Sequence, residues 1–454
     1  MSFTPAALWN QLESHWPTPA CSDVLIAFSG GLDSTALLAA IVEESRERGV
    51  RVRAIHIDHQ LQAASGEWSR HCIDFARALN VECTAVQVAV DLNSEDGIES
   101  AARKARYDVL RKWLRAGEIL LTAHHADDQL ETIVLALTRG SGLAGLSGMP
   151  ACRPFAEGWH VRPMLPFTRD EIESWARANS LTWISDPSND KDEFSRNLLR
   201  NRVTPALRER WPSIAKTASR SARHVAEAAS LLDEFASEDF LKAALGSCLR
   251  VNVLTHMSAP RRRNLLRYWL RHHGARLPSA RKLVALEHDM LRAAEDRLPK
   301  VQWDGFEVRR HRGLLYGTWA RANAAGPSSF EWHWREPLAL GTQLGELRMQ
   351  RASLKGLDEL RLATTLRVEF RQGGERLKLI GRNHHHSLKK LLQEAGVLPW
   401  WRNRLPLIWN DDALVAVGDL WVADEFAASV PNTGLAITWE RRPPILAVMD
   451  DEPT

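Results

Sequence analysis

Two short stretches carry side chains whose types and spacing suit phosphate and proton chemistry. The first is Ser29-Gly30-Gly31-Leu32-Asp33-Ser34-Thr35, which follows the apolar run at residues 24–28. A helical pattern begins at Ser34 or Thr35, so the order is strand, tight turn, helix. Gly30 and Gly31 allow φ > 0 and a close approach of backbone to ligand. The hydroxyls of Ser29, Ser34 and Thr35, with the free N–H groups of the helix start, can donate to phosphate oxygens. Neither G-x-x-x-x-G-K-[ST] nor G-x-G-x-x-G occurs here, which excludes a Walker A loop and the dinucleotide fingerprint. Asp33 would repel phosphates unless a divalent cation lay between them, and an oxygen-rich site of this kind suits Mg²⁺.

The second stretch is His124-His125-Ala126-Asp127-Asp128-Gln129-Leu130-Glu131-Thr132. Asp128 and Glu131 are three apart and share one helix face. Asp127 either caps that helix or joins the same cluster. The H-E-x-x-H spacing of a zinc site is absent, so a pocket for an ammonium group is the better reading. Between the two stretches, residues 97–107 form an arginine-bearing helical pattern. Its Arg106 has a fork that matches carboxylates and phosphates. His56-Ile57-Asp58-His59 ends another apolar run. It reads either as a polar strand tip or as a contact for a nucleoside, partly through main-chain groups.

These residues must be positioned by the elements around them. Strand-like runs at 24–28, 52–57, 83–88 and 119–123 alternate with helical patterns at 34–48, 67–79, 97–114 and 127–138. That rhythm predicts an α/β fold, a doubly wound and mostly parallel sheet with helices on both faces. Ligands then bind beyond the carboxyl ends of the strands, where the glycine turn, Asp58-His59 and His124-His125 all fall. The glycine-rich segment 140–148 is expected to hold no regular element, serving as a mobile connection or as a flap.

Further along, Arg196, Arg200, Arg202, Arg208, Arg210, Lys216, Arg220 and Arg223 face only Glu209 in sequence. Such a strip would attract nucleic-acid phosphates, or else be a solvated helix face. Residues 215–295 read as a helical domain with a second arginine run at 261–263. Residues 300–350 shift to strands, with a linker or long loop at 322–329. A last part, 360–440, offers Arg371, Arg376, Lys389 and Lys390 on a basic surface, an amphipathic helix at 387–395 ended by Gly396, and a strand pair around Asp411-Asp412. Trp400 and Trp401 suit core packing for at least one of the two. His384-His385-His386 reads as a solvated loop before a metal tract. From Pro443 onward a frayed tail is expected.

With 454 residues, the chain has room for two to four domains. The net charge of +3 is too small to demand a polyanionic partner by itself. Five scattered cysteines (Cys21, Cys72, Cys83, Cys152, Cys248) contain no C-x-x-C, which argues against a zinc ribbon or disulfide framework and fits a reducing compartment. No run of eighteen apolar residues or leader pattern appears, so a cytoplasmic protein with no membrane partner is expected.

Ser29-Gly30-Gly31-Leu32-Asp33-Ser34 resembles the pyrophosphate loop of N-type ATP pyrophosphatases, which cleave ATP between its α and β phosphates. Together with His124–Thr132, the segment from Thr138 to Met149, Asp186-Pro187-Ser188-Asn189 and the segment from Phe194 to Arg200, it is similar to the tRNA(Ile)-lysidine synthase family. That resemblance implies ATP-dependent ligation of L-lysine to C2 of the wobble cytidine of a CAU-anticodon tRNA(Ile), through an O2-adenylated cytidine. It implies ATP contacts at Ser29, Gly30, Gly31, Leu32, Asp33, Ser34, Thr35 and Ile57, and Mg²⁺ at Asp33. Arg106, His124, Asp128 and Glu131 would bind lysine and, with Asp33, support the transfer. Arg196, Arg200, Arg202, Arg371, Arg376, Lys389 and Lys390 would bind tRNA. Three domains are expected, a catalytic one at 1–212, a helical one at 213–325 and a small α+β one at 355–440, in a monomer or homodimer. A tRNA thiolase with the same loop and a tRNA-binding module with a silent ATP fold remain as alternatives.

Overall fold

The computed structural model describes residues 2–16, 23–60, 62, 64–91, 93, 97–186, 195–294, 297–319, 329–341, 344–352, 356–429 and 433–448. Pro187–Asn189 and Phe194 of the quoted motifs, Cys21, and most of the expected linker at 322–329 lie outside them. The chain forms two compact units, Met1–Leu232 and Asp233–Thr454.

The first unit opens with α1 (Pro5–Glu13), capped by Thr4, and β1 (Asp23–Ala27). There follow α2 (Leu32–Arg48), β2 (Arg51–Asp58), α3 (Ser65–Ala78), β3 (Glu82–Gln87), α4 (Ile98–Trp113), β4 (Ile119–Leu121) and α5 (Ala126–Thr138). Each element expected from the alternating pattern is present, with ends shifted by one or two residues. The strand order is β3-β2-β1-β4, continued by β6 (Gly158–Val161) and β5 (Cys152–Phe155). β1 pairs in parallel with both β2 and β4. The chain therefore leaves β1 in opposite directions on its two sides, and the crevice beyond the β1 and β4 ends is the topological switch point.

Two findings go beyond the sequence pattern. β5 and β6 form an antiparallel hairpin on the sheet edge. The glycine-rich segment holds a single helical turn, α6 (Leu143–Leu146). This corrects the expectation of no regular element there. Gln129 fixes its far end, donating to the Met149 carbonyl at 3.0 Å and accepting from the Met149 N–H at 2.7 Å. α7 (Arg169–Ala178) starts with a Thr168–Glu171 capping box. α1, α2, α3 and α7 pack an apolar core on one sheet face, including Trp9, Leu37, Phe28 and Phe167. α4 covers the other face through Leu110 and Leu114. Past the undescribed stretch come α8 (Ser195–Leu198), a π-turn at Leu199–Val203, α9 (Thr204–Arg210) and α10 (Ile214–Ala243).

The second unit begins within α10. Its helices at Val251–His256, Ala259–His272 and Ala280–Arg292 match the helical reading. They share a core with a five-stranded sheet that includes Lys300–Trp303, Phe306–His311 and Leu314–Trp319. The expected helical domain at 213–325 is therefore α+β. Further on, a five-stranded sheet containing the Pro406–Asn410 and Ala413–Val417 pair and a four-stranded sheet enclose the helix Leu388–Glu394, which Gly396 terminates at φ +68°. Trp401 is buried, and Trp400 packs on Tyr316 with centroids 5.4 Å apart. The expectation of a frayed tail from Pro443 is overturned for residues 443–448, and residues 449–454 lie outside the described residues. Ile445 is buried and accepts from the Leu398 N–H at 2.9 Å, and Leu446 bridges Val397. The apolar residues of that segment outweigh its prolines.

Candidate active site

The glycine turn is built as its residues dictate. Gly30 takes φ +82°, and its carbonyl accepts from the Ile184 N–H at 2.9 Å. A Cβ there would stand 2.6 Å from Ile184 Cδ1 and 2.7 Å from Cys72 Sγ, so only glycine fits. Ser34 Oγ closes the turn, accepting from the Ser29 N–H at 3.2 Å and donating to the Gly31 carbonyl at 3.0 Å. Thr35 is fully buried, and its hydroxyl is turned inward onto the Gly30 carbonyl at 3.3 Å. Ser29, Gly31, Asp33 and Ser34 line a cleft of about 400 Å³, whereas Gly30, Leu32 and Thr35 shape the loop from beneath.

The other walls of this cleft come from the neighbouring strand ends. β2 supplies Ile57 and Asp58, the loop after it His59 and Gln60, α4 supplies Arg106, and the β4 end supplies Thr122 and His124. Asp186 also reaches it. Asp58 is buried and accepts from the Gln60 N–H at 2.8 Å, which holds Gln60 at φ +54°. Ile57, Arg106 and His124 thus meet the glycine turn as the sequence pattern placed them.

His124 is uncharged at neutral pH. Burial first, then the positive field of Arg162 and Arg106, pushes its imidazole well below the ordinary range. Its Nδ1 lies 2.8 Å from Thr122 Oγ1, which in turn lies 2.8 Å from Nε2 of the buried His160. Burial and then Arg162 and Arg153 push His160 down to about 2. This histidine pair acts through hydrogen bonds and not as cations.

His125 is the opposite case, and its role was not visible in the sequence. The ring is 1% exposed. Its Nε2 stands 3.6 Å from Asp33 Oδ2 and 3.5 Å from Asp128 Oδ2, and its Nδ1 3.4 Å from Asp127 Oδ2. Burial opposes its charge, but Asp128, Asp127 and Asp33 outweigh it and raise the imidazole to about 10. His125 occupies the N-cap position of α5, and its backbone N–H donates to Asp128 Oδ2 at 3.1 Å. Asp127 is not the cap. It accepts from the Arg169 N–H at 2.8 Å and pairs with Arg208. The only signal for His125 was the doubled histidine before three acidic residues.

Asp33 joins the two parts of the site. Burial alone would raise its carboxyl, yet His125, Arg169 and Arg200 together hold it below the ordinary range. Its Oδ1 is buried and has no hydrogen-bond partner among the described residues. Such an oxygen fits a divalent cation. Among the described residues no cluster of three or more His, Cys, Asp or Glu side chains is arranged to hold a metal. The Asp33 carboxylate suits Mg²⁺, which is held by one or two carboxylates and completed by phosphates and water.

The acidic pair and the basic strip, separate in sequence, are joined in space. Arg196 Nε lies 2.7 Å from Glu131 Oε2, and Arg200 Nε 2.9 Å from Glu131 Oε1. Arg200 also reaches Asp128 at 3.1 Å. Lys216 pairs with Glu171 at 2.7 Å. Half of the strip is thus neutralised by α5 and α7, which corrects its reading as an unopposed positive surface. Asp128 and Glu131 lie in these ion pairs and not on the cleft wall. In the second unit, Arg376 donates to the His385 carbonyl and Arg371 to Asn403, while Lys389 is exposed.

Residues 8–207 match the model of the PP-loop domain, residues 249–316 that of the TilS substrate binding domain and residues 366–439 that of the TilS substrate C-terminal domain. The tRNA(Ile)-lysidine synthase of Alkalilimnicola ehrlichii is 41% identical over 412 residues, covering 90% of this chain and 92% of that protein. That of Coxiella burnetii is 38% identical over 423 residues, covering 93% and 94%. A solved U34-tRNA thiolase from Methanococcus maripaludis is 15% identical with a TM-score of 0.42, over 49% of this chain and 78% of that one.

Proposed function

The chain belongs to the tRNA(Ile)-lysidine synthase family, and from that premise we propose how its side chains divide the reaction. ATP occupies the cleft, with its phosphates against Ser29, Gly31 and Ser34 and its nucleoside toward Ile57. The observation that carries this reading is the unpartnered Oδ1 of Asp33, set between the glycine turn and the His125 cluster. Mg²⁺ held there supplies positive charge to the phosphates. The wobble cytidine of tRNA(Ile) is adenylated at O2, and the ε-amine of lysine then displaces AMP at C2. Anticodon-loop bases are already unstacked, which makes that carbon accessible.

Arg106 has no acidic partner among the described residues and faces the cleft, which suits the carboxylate of lysine. Neutral His124 orients the reacting groups through hydrogen bonds. The ammonium end of lysine is assigned to Asp128 and Glu131. Because Arg196 and Arg200 hold these carboxylates, lysine binding exchanges one cation for another, and α8 must yield. The amine, with a free pKa of about 10.4, loses its proton before attack.

The division into a catalytic domain at 1–212, a connecting domain at 213–325 and a C-terminal domain at 355–440 is retained. Arg202, Arg371, Arg376, Lys389 and Lys390 are assigned to tRNA contacts, as are Arg196 and Arg200 once released. The thiolase alternative finds no support in three of the five cysteines, Cys72, Cys83 and Cys248. Burial pushes Cys72 up to about 12 and Cys83 and Cys248 to about 11, away from the thiolate that such chemistry needs.

The test is incorporation of labelled lysine with ATP and Mg²⁺, into a CAU-anticodon tRNA(Ile) transcript beside a tRNA(Met) with the same anticodon. Lysine entering only the first, with AMP and pyrophosphate released, is the expected result. ATP cleavage that depends on tRNA without lysine incorporation would refute the ligase assignment in favour of a thiolase.

A further inference from the structure

A second charged cluster lies on the face of α4 beside the β5–β6 hairpin. Three guanidinium groups surround one phenol ring, Arg103 at 5.0 Å, Arg106 at 5.5 Å and Arg153 at 5.8 Å from the Tyr107 centroid. Arg153 also lies 5.9 Å from the Phe155 ring. Behind them the buried Arg162 is fixed by the Pro150 carbonyl at 2.7 Å and by His160 Nδ1 at 3.2 Å. Among the described residues none of these four arginines forms an ion pair with a carboxylate. Arg111, further along the same helix, shows the contrast, since Asp108 satisfies it at 2.9 Å. Burial and the neighbouring arginines hold Arg106 below the ordinary arginine range. Arg153 Nε is buried with no hydrogen-bond partner among the described residues. Stacking on one ring offsets part of the repulsion between like charges. It leaves donors and charge that an anion would satisfy.

We propose that Arg103 and Arg153 form a phosphodiester track that grips the RNA strand beside the nucleotide cleft, with Arg106 left to the carboxylate of lysine. Arg106 lines the cleft, and Arg103 stands exposed on the same helix one turn nearer its start. The cluster therefore reaches around one ring from the cleft wall to solvent. Planar forks match phosphate oxygens two at a time, and stacking on the ring restricts where each fork can sit. His160, kept neutral within this field, anchors Arg162 without adding charge. The track rests on the tRNA reading of the cleft and adds the residues that hold the strand beside it.

The experiment uses the full-length protein and a fluorescein-labelled tRNA(Ile) transcript, with binding followed between about 50 and 200 mM salt. The double variant Arg103→Gln/Arg153→Gln is expected to bind about tenfold more weakly. Its plot of log affinity against log salt should be shallower by about one to two units. The KM values for ATP and lysine should stay unchanged, and Arg103→Lys/Arg153→Lys should recover the salt slope with an unaltered melting temperature. Arg111→Gln should bind like the parent protein. Unchanged tRNA affinity and slope in the Gln variant would overturn the track. So would a raised KM for lysine with intact tRNA binding, which would make the cluster a carboxylate site. If the parent protein itself bound no tRNA, the reading of the cleft would fall first and the track with it.

Discussion

Replacing His125 by Gln removes one cation from the middle of three carboxylates, and the consequence can be sized from the geometry. Asp33, Asp127 and Asp128 each present an oxygen 3.4–3.6 Å from the ring. At an effective dielectric of 20, one such pair attracts by roughly 5 kcal/mol. Desolvation of the buried ring and the nearby Arg169, Arg200 and Arg208 offset much of the sum. Breaking a buried ion pair by deleting one partner typically costs about 3–5 kcal/mol. At about 2–4 °C per kcal/mol for a unit of this size, the melting temperature should fall by roughly 6–20 °C. The sign with pH follows from the raised imidazole. Its ordinary value is 6.5 and its value in the fold is about 10. Its stabilisation is thus fully present below 6.5 and disappears as pH rises through 10. Thermal scans of parent and variant from pH 6 to about 10 should therefore converge at the alkaline end. A variant that melts within 2 °C of the parent at pH 6, where the charge contributes about 3 kcal/mol or more, would refute the imidazolium assignment.

Two further substitutions probe the same centre. Asp33→Ala should abolish formation of the adenylated tRNA while leaving tRNA affinity nearly intact, because the lost oxygen is the one proposed to hold the cation; adenylation at the parent rate would remove Asp33 from the metal site. Gly30→Ala combines φ +82° with a Cβ 2.6 Å from Ile184 and 2.7 Å from Cys72, so the turn must shift. ATP-dependent activity should drop at least tenfold, with a stability loss of about 1–3 kcal/mol; isothermal titration with ATP showing parent-like affinity would contradict the close-approach argument.

Much of the first unit was legible because its signals are local. Apolar runs ending in a glycine turn at Ser29–Ser34 and in His124-His125 mark strand ends, and the βαβ rhythm forces those ends to one side of the sheet. Strand order then follows from packing helices on both faces, and the switch point between β1 and β4 lies where the motifs pointed. The left-handed turn at Gly30 was readable for the same reason, whereas Gly31, paired with it in the sequence reading, takes an extended backbone at φ −76°.

Charge was legible only as composition. The arginines at 196, 200 and 208 read as an open surface because no acidic residue is near them in sequence except Glu209. In space they meet Asp127, Asp128 and Glu131, some seventy positions earlier. No periodicity records such a pairing; it arises when α8 and α9 pack beside α5. The protonation states of His124 and His125 show the same division. Adjacent and identical in sequence, they are driven in opposite directions, one by burial with Arg162 and Arg106 and the other by three carboxylates that outweigh burial. Residue type and spacing determined which groups would stand at the strand ends. Their charge, and therefore their chemistry, was decided by the tertiary structure, because electrostatic energy depends on distance through space and on burial, neither of which is written in the order of the residues.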